Sequence, residues 1–568
     1  MRYIGNFILL PIRLIIYLYY WIFSYLKKGE HVYVEVPSSF QEYRKTFLLE
    51  LISGKEGSPL FLQFIEDLRL ILESKHIKKV SFNVNQIEYG LAELQEICRL
   101  VEELQKKGIH TSGFSQSGDL KTLYFLSFLD ERYCAENAEF FLLLPSVESF
   151  FFKGTLSKLG IEVENFASGK YKSLAEMFTR EKFSKEAKEN ITSLIQSIKS
   201  NLLKTIKKKS NLNLENIHPI LTGKYLFDKG FFKGFLDEED FKENLQYKDY
   251  KKPEKDNFLQ EPDFTVTTLS SLYFIERKKK YKFFRKRQNK IAIVCLKGEI
   301  VEGKREENEL KEGSIHAYST IKMLKEIRKD DSIKGVILEI DSPGGSAFAS
   351  DLIYREILKL KSTKKTYAYL KNVAASGGYY IALACEKIFT NPYCITGSIG
   401  TVVIRPNLAG LYKKLGITKD RIEFYPTREI FSEFGKLSLE AKKFLTSEIE
   451  RVKDIFYNVV CTNRNFSRED MEQRGGGRVF SGEEALKWKL VDSTSGFLSA
   501  IVELEKELGL GEMRWEYDVP TYSIRSMLKS WKNFTRFSKN PLEYVISNIS
   551  IDRLEYYSEI SRVLSKSF

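Results

Sequence analysis

The residues with the most chemical promise lie in Lys371-Asn372-Val373-Ala374-Ala375-Ser376-Gly377-Gly378-Tyr379-Tyr380. One serine stands between two alanines and two glycines, and two tyrosines and an apolar run follow. Small neighbours let a second backbone or a substrate approach the Ser376 hydroxyl. A helix starting just after it would aim its positive N-terminal end at that hydroxyl. Ser376 therefore reads as a nucleophile; the plainer account is a helix N-cap, whose hydroxyl accepts a backbone N–H. A serine nucleophile needs a base, and histidine is the usual one. The five histidines are His31, His76, His110, His218 and His316. None has a glycine-flanked, loop-like setting, and all but His316 lie in a different part of the chain from the serine. A lysine is the remaining choice. Its reference pKa of ~10.4 must fall to ~7–8 for that work, roughly 4 kcal/mol, which burial against apolar side chains supplies. Lys172, in Gly169-Lys170-Tyr171-Lys172-Ser173, follows a glycine turn after a strand expected over 161–166. Composition alone does not separate it from a surface lysine entering a helix.

The elements that must carry these residues follow an α/β pattern. Lys290-Ile291-Ala292-Ile293-Val294-Cys295-Leu296 is a continuous apolar run of the kind buried on both faces of a sheet. A helix over 317–328 leads to a strand over 335–340, then to Asp341-Ser342-Pro343-Gly344-Gly345-Ser346 and a helix over 347–361. A strand over 366–370 brings the chain to Ser376, with a buried helix expected over 381–385. Strands alternating with helices predict parallel βαβ units. The pattern occurs twice. Ser157-Lys158-Leu159-Gly160-Ile161 matches Lys413-Lys414-Leu415-Gly416-Ile417 at an offset of 256, and the same offset lays 80–85 on 336–341. The copies differ where chemistry would sit. Glu88 and Tyr89 fall opposite Gly344 and Gly345, and Leu120 or Lys121 falls opposite Ser376.

A length of 568 residues predicts several domains, because single cores stop growing near ~250–300 residues. The expected layout is a membrane anchor over 1–30, a first α/β unit over 31–246, a basic connection over 247–288, a second unit over 289–515 and a tail over 516–568. Ile4 to Leu26 is almost wholly apolar and reaches the ~20 residues that span a bilayer, with no small-residue cleavage site after it. Pro11 and Arg13 leave an interfacial helix as the alternative. The net charge of +13 is spread along the chain without an aromatic-interleaved nucleic-acid module, so the expected partner is membrane lipid and not nucleic acid. Six cysteines without a CxxC mostly sit in apolar runs, which predicts no metal site. The tail, with Trp531, Phe534, Arg536 and Phe537, has no assigned role.

The series Asp341-Ser342-Pro343-Gly344-Gly345-Ser346, Ala374-Ala375-Ser376-Gly377-Gly378-Tyr379-Tyr380 and Thr396-Gly397-Ser398-Ile399-Gly400 resembles the signature motifs of the signal peptide peptidase A (protease IV) family. The likeness covers about residues 31 to 510 and is to the long, two-repeat form. It implies tandem crotonase/ClpP-like βαβ domains behind an N-terminal transmembrane helix. It also implies a Ser/Lys dyad split between the repeats, with Ser376 as nucleophile and Lys172 as base. Arg428 falls opposite Lys172 in the second repeat and, as an arginine, cannot replace it; Lys170 is the fallback base. Ser398 matches a family serine that hydrogen-bonds the lysine. Backbone N–H groups of Gly344 and Gly345, assisted by Gly377, would face the oxyanion. The resemblance further implies no cofactor, peptide substrates such as signal peptide remnants bound as an added β-strand, and a homotetramer. It places the protein in the cell membrane with its catalytic part on the extracytoplasmic face. A crotonase-like acyl-CoA enzyme and a non-catalytic membrane scaffold of the same fold are the rival expectations.

Overall fold

The computed structural model describes residues 30–41, 59–215, 218–247, 289–303, 313–420 and 426–509, with 14–15, 17–18, 44–45, 266–268, 422, 514–518 and 521–522. The expected anchor over 4–26 lies almost wholly outside them. No helix among the described residues is long and apolar enough to cross a membrane. Most of the basic connection and of the tail also lies outside.

Two open α/β sheets carry the chain. The first half runs through β1 (His31–Val36), α1 (Phe61–Glu73), β2 (Lys79–Val84), α2 (Leu91–Lys106), β3 (His110–Ser115), α3 (Leu120–Ser127) and β4 (Glu131–Cys134). It continues with β5 (Glu162–Ala167), α4 (Lys185–Ser210), β6 (Gly234–Phe235) and β7 (Val266–Thr268). Its sheet has the order β6-β4-β3-β2-β1-β7, parallel throughout. The second half runs through β8 (Lys290–Lys297), α5 (Ala317–Lys329), β9 (Ile333–Ser342), α6 (Ala347–Lys361), β10 (Lys365–Ala375), α7 (Gly377–Ala382) and β11 (Lys387–Thr390). It continues with β12 (Ile395–Gly397), β13 (Val402–Asn407), α8 (Leu439–Arg464), β14 (Val479–Ser481), α9 (Phe497–Leu508) and β15 (Arg514–Asp518). Its sheet has the order β14-β12-β10-β9-β8-β15, with β11 also on β10 and only β14 antiparallel. Valine, isoleucine and leucine at zero or near-zero exposure line both faces of β8 and β9, as strands covered on each side require.

Equivalent elements recur down to their caps. Helices α4 and α8 are each 26 residues long, begin at a capping serine (Ser184, Ser438) and end at a left-handed asparagine (Asn211, Asn465). The strands β7 and β15 return to the outer edges of β1 and β8 in matching places. This shifts two expected boundaries: Val266–Thr268 lies within the presumed connection, and Glu516–Asp518 within the presumed tail, yet both complete sheets. The bare edge of a buried strand needs a hydrogen-bonding partner, and these segments supply it. Starting α3 and α7 at the same point pairs Ser376 with Asp119, one or two residues before the expected Leu120 or Lys121. Asp119 caps α3 through its side chain, accepting from the Thr122 N–H.

The halves are laced together at several places. Strand β5 pairs antiparallel with β13 over six residues, from Glu162–Asn407 to Ala167–Val402. Helix α4 lies along the β14 edge of the second sheet, where Asn190 both donates to the Val479 carbonyl and accepts from its N–H, at 2.8 and 2.9 Å. From α2, the buried Glu96 carboxylate accepts from the Phe497 and Leu498 N–H groups at 2.7 and 3.2 Å, capping α9 across the interface. Arg99 pairs with the same carboxylate at 3.2 Å. Glu96→Ala would leave the α9 terminus uncapped and Arg99 unpaired in a buried seam. The expected loss is about 3 kcal/mol, read as a fall in the urea midpoint; a midpoint within error of wild type would show the seam to be unimportant.

Candidate active site

Ser376 sits at the junction of β10 and α7. The strand runs further than expected, to Ala375, and the helix begins at Gly377 and not near 381. Its small residues let the chain keep pairing, on one side with β9 and on the other with β12. The pairing slips on the way. Ile340 faces Leu370 but Ser342 faces Ala374, so residues 371–373 bulge outward. Asp341 holds the bulge, accepting from the Val373 N–H at 3.0 Å and from the Asn372 amide at 3.2 Å. Lys371 lies between Glu339 at 2.8 Å and Glu93, from the first half, at 3.0 Å. Burial alone would push the Glu93 carboxyl up, but the Lys371 ammonium more than offsets this and holds it below its ordinary value.

At the end of this strand Ser376 adopts φ 52° and ψ −119°, a conformation rare outside glycine. Its side chain caps nothing in α7, which removes the N-cap account. Gly344 makes room for it: a Cβ on Gly344, at φ +106°, would lie 2.7 Å from the Gly377 nitrogen and 2.8 Å from the Ser376 Cβ. The expected oxyanion trio changes accordingly. The Gly344 N–H already donates to the Ser342 hydroxyl at 3.1 Å, because the tight turn folds it back. The N–H groups of Gly345 and Gly377 have no acceptor among the described residues and remain available to a substrate oxygen.

Lys172 comes from the other half. It follows β5, and the β5–β13 pairing carries it 204 residues in sequence to the serine. Its amine lies 3.2 Å from the Ser376 hydroxyl, 2.8 Å from the Ser398 carbonyl and 2.9 Å from the Ser398 hydroxyl. Desolvation by burial lowers its pKa from 10.5 to about 7, with no carboxylate acting against it. As a neutral amine it has two N–H groups, both accommodated by Ser398, and a lone pair left for the Ser376 O–H. Ser398 itself has φ 51°, which lets carbonyl and hydroxyl converge on one amine. Lys170, two residues away, is exposed and makes no such contact. The Ser376 hydroxyl has no hydrogen-bonding histidine among the described residues; its one side-chain partner is Lys172.

Two groups of residues around the site were not singled out from the sequence. One is the Glu93–Lys371–Asn372–Asp341 brace: Asp341, Lys371 and Asn372 belong to stretches read for other reasons, and Glu93, far off in the first half, belongs to none. The other is Gly475-Gly476-Gly477, a run conspicuous in the sequence, which packs against the Lys172 segment.

The model of Peptidase family S49 matches residues 146–252 and 358–511, the segments that carry Lys172 and Ser376. The chain is 28% identical over 485 residues to the chloroplastic serine protease SPPA of Arabidopsis thaliana, covering 81% of this chain and 69% of that one. It is 28% identical over 465 residues to Protease 4 of Haemophilus influenzae, covering 79% and 72%. It is 23% identical over 463 residues to Protease 4 of Salmonella typhi, covering 77% and 72%. The chain belongs to peptidase family S49. It is a serine peptidase, and both matched segments of the S49 model are needed to assemble the cluster around Ser376.

The depressed lysine has a thermodynamic signature. Between pH 7 and 10 the unfolded chain holds a proton on residue 172 that the folded chain lacks, so stability rises with pH in that window. At pH 7 the penalty is up to about 4 kcal/mol. Lys172→Met is expected to stabilise the protein at pH 7 and to flatten the rise between pH 7 and 9. Parallel urea-denaturation profiles for variant and wild type would refute the burial of a neutral amine.

Proposed function

We propose that this S49 peptidase is a membrane-bound endopeptidase that uses Ser376 and Lys172 as a Ser/Lys dyad to degrade cleaved signal peptides and other hydrophobic peptides. The observation that carries the reading is the 3.2 Å approach of an amine with pKa about 7 to the serine hydroxyl. The neutral Lys172 takes the Ser376 proton as the oxygen attacks the scissile carbonyl. The oxyanion that forms receives the N–H groups of Gly345 and Gly377. Collapse of the tetrahedral intermediate passes the proton from Lys172 to the leaving amine and leaves an acyl-Ser376. Water then attacks the acyl carbon as Lys172 takes its proton; the ester bond breaks, Lys172 returns the proton to the Ser376 oxygen, and the acid product departs.

Three further elements belong to the same proposal: a crotonase/ClpP-like duplication behind an N-terminal anchor, attachment in the cell membrane with the catalytic part extracytoplasmic, and a homotetramer. They are supported by the apolar Ile4–Leu26 stretch, the matching halves and the likeness to named SPPA and Protease 4 enzymes. The exposed Phe431 and Leu439, at 86% and 80%, offer apolar surface that self-association would cover.

Ser376→Ala and Lys172→Ala should each lower casein or apolar-peptide hydrolysis at least ~10³-fold, and Lys170→Ala should leave it within about twofold. A fluorophosphonate probe should label Ser376, and kcat/KM should fall below an acid limb near pH 7. Full hydrolysis by Ser376→Ala would favour a scaffold; labelling elsewhere, with acyl-CoA turnover, would favour the crotonase-like alternative. Loss of activity in Lys170→Ala but not Lys172→Ala would move the base.

A further inference from the structure

We propose that the turn Gly475–Arg478 is the positioning element of the base: it sets the depth at which Lys172 enters the site, so that docking of the first half on this turn assembles the active centre. The proposal rests on the Ser/Lys reading and names what holds its lysine.

The contact is backbone on backbone. Gly477 has φ +85°, and a Cβ there would lie 2.6–2.7 Å from the N, Cα and Cβ of Lys172. Only a residue without a side chain lets the lysine segment come this close. The Gly476 carbonyl accepts from the Tyr171 N–H at 2.8 Å, fixing the register of the neighbouring residue. The same turn also fixes the amine's acceptor, since the Ser398 N–H donates to the Arg478 carbonyl at 2.7 Å and the Gly477 N–H donates to the Ile399 carbonyl at 2.9 Å. One turn thus sets both the lysine's backbone and the two oxygens its amine meets.

The turn is anchored from below and shielded from above. The Gly476 N–H donates to the hydroxyl of Tyr457, a buried residue of α8, at 2.8 Å. Above, the Arg478 guanidinium lies 3.9 Å from the Tyr171 ring centre, and Glu189 of α4 accepts from Arg478 at 3.2 Å and from the Tyr171 hydroxyl at 3.3 Å. The polar ladder from α4 continues along β14 through Ser193 to Glu484 and Ser197 to Ser481, at 3.0 and 2.7 Å. The charged and titratable groups on the packed elements are therefore Arg478, Glu189, Tyr457 and, on the lysine's own segment, Lys170, Tyr171 and Glu176. None of them bonds the amine, whose three partners are the serine oxygens. What keeps it dry is the closeness of the turn.

The test is the pH dependence of kcat/KM for the purified full chain on a fluorogenic apolar peptide, with melting temperatures measured alongside. Gly477→Ala should push the lysine outward and admit water, raising the acid limb by about one unit and lowering kcat/KM at pH 7 about fivefold, mainly through kcat. Arg478→Ala removes the shield without touching the backbone and should move the limb in the same direction by a smaller amount; Arg478→Lys should restore part of it. A folded Gly477→Ala with an unmoved limb overturns the proposal. Should Gly477→Ala fail to fold, an unmoved limb in Arg478→Ala overturns it. A wild type without an acid limb, or an active Lys172→Ala, defeats the dyad itself and takes this proposal with it.

Discussion

A buried amine without a counter-ion is the constraint on which the site depends. Three serine oxygens surround the Lys172 amine and no carboxylate acts on it, so burial acts unopposed and favours the uncharged form. Burial pushes the Lys121 and Lys364 amines down as well, whereas Lys371 is set among carboxylates. It pairs with Glu93 and Glu339 and so braces a strand. The contrast is one of partners: nearby carboxylates favour the charged form of an amine, and burial without them disfavours it.

Holding such an amine is costly, and the fold offsets the cost by dividing the site between two halves that cannot separate easily. The β5–β13 pairing, the α4–β14 ladder and the Glu96 cap on α9 tie the halves at separate points. Each tie is polar and directional, so it fixes register as well as contact. Supplied across the interface, the lysine meets the close backbone of Gly477 and the Ser398 carbonyl. The first half has no glycine turn at the matching place, and Asp119 caps a helix where the Ser376 side chain caps nothing.

Strain gathers at the same place. Ser376 and Ser398 both occupy positive φ, at 52° and 51°, and both touch Lys172. Non-glycine residues keep such conformations only where the surroundings over-determine them. Here the bulge at 371–373, the Gly344 approach and the Gly475–Arg478 turn supply those surroundings. The same crowding turns the Gly344 N–H onto Ser342 and leaves those of Gly345 and Gly377 without an acceptor among the described residues.

Much was legible in the chain itself. The apolar run at 290–296, the helix at 347–361 and the 256-residue offset are local patterns, and periodicity and composition suffice to recognise them. The small residues around Ser376 likewise mark an approachable hydroxyl without any knowledge of its partners. The ends of β10 and α7 were missed because alanines and glycines carry no periodicity, and neighbouring strands decided how far they pair. Lys172 was one lysine among many until a resemblance pointed to it, and Lys170 stood beside it as an equal in composition. What separates the two is depth: pKa is a property of the surroundings, and the surroundings of residue 172 are built from residues more than 200 positions away. The sequence by itself determined the small-residue setting of Ser376 and the duplicated α/β framework. Only the tertiary structure decided which amine is dry, because desolvation arises from packing between halves and leaves no mark on the residue that undergoes it.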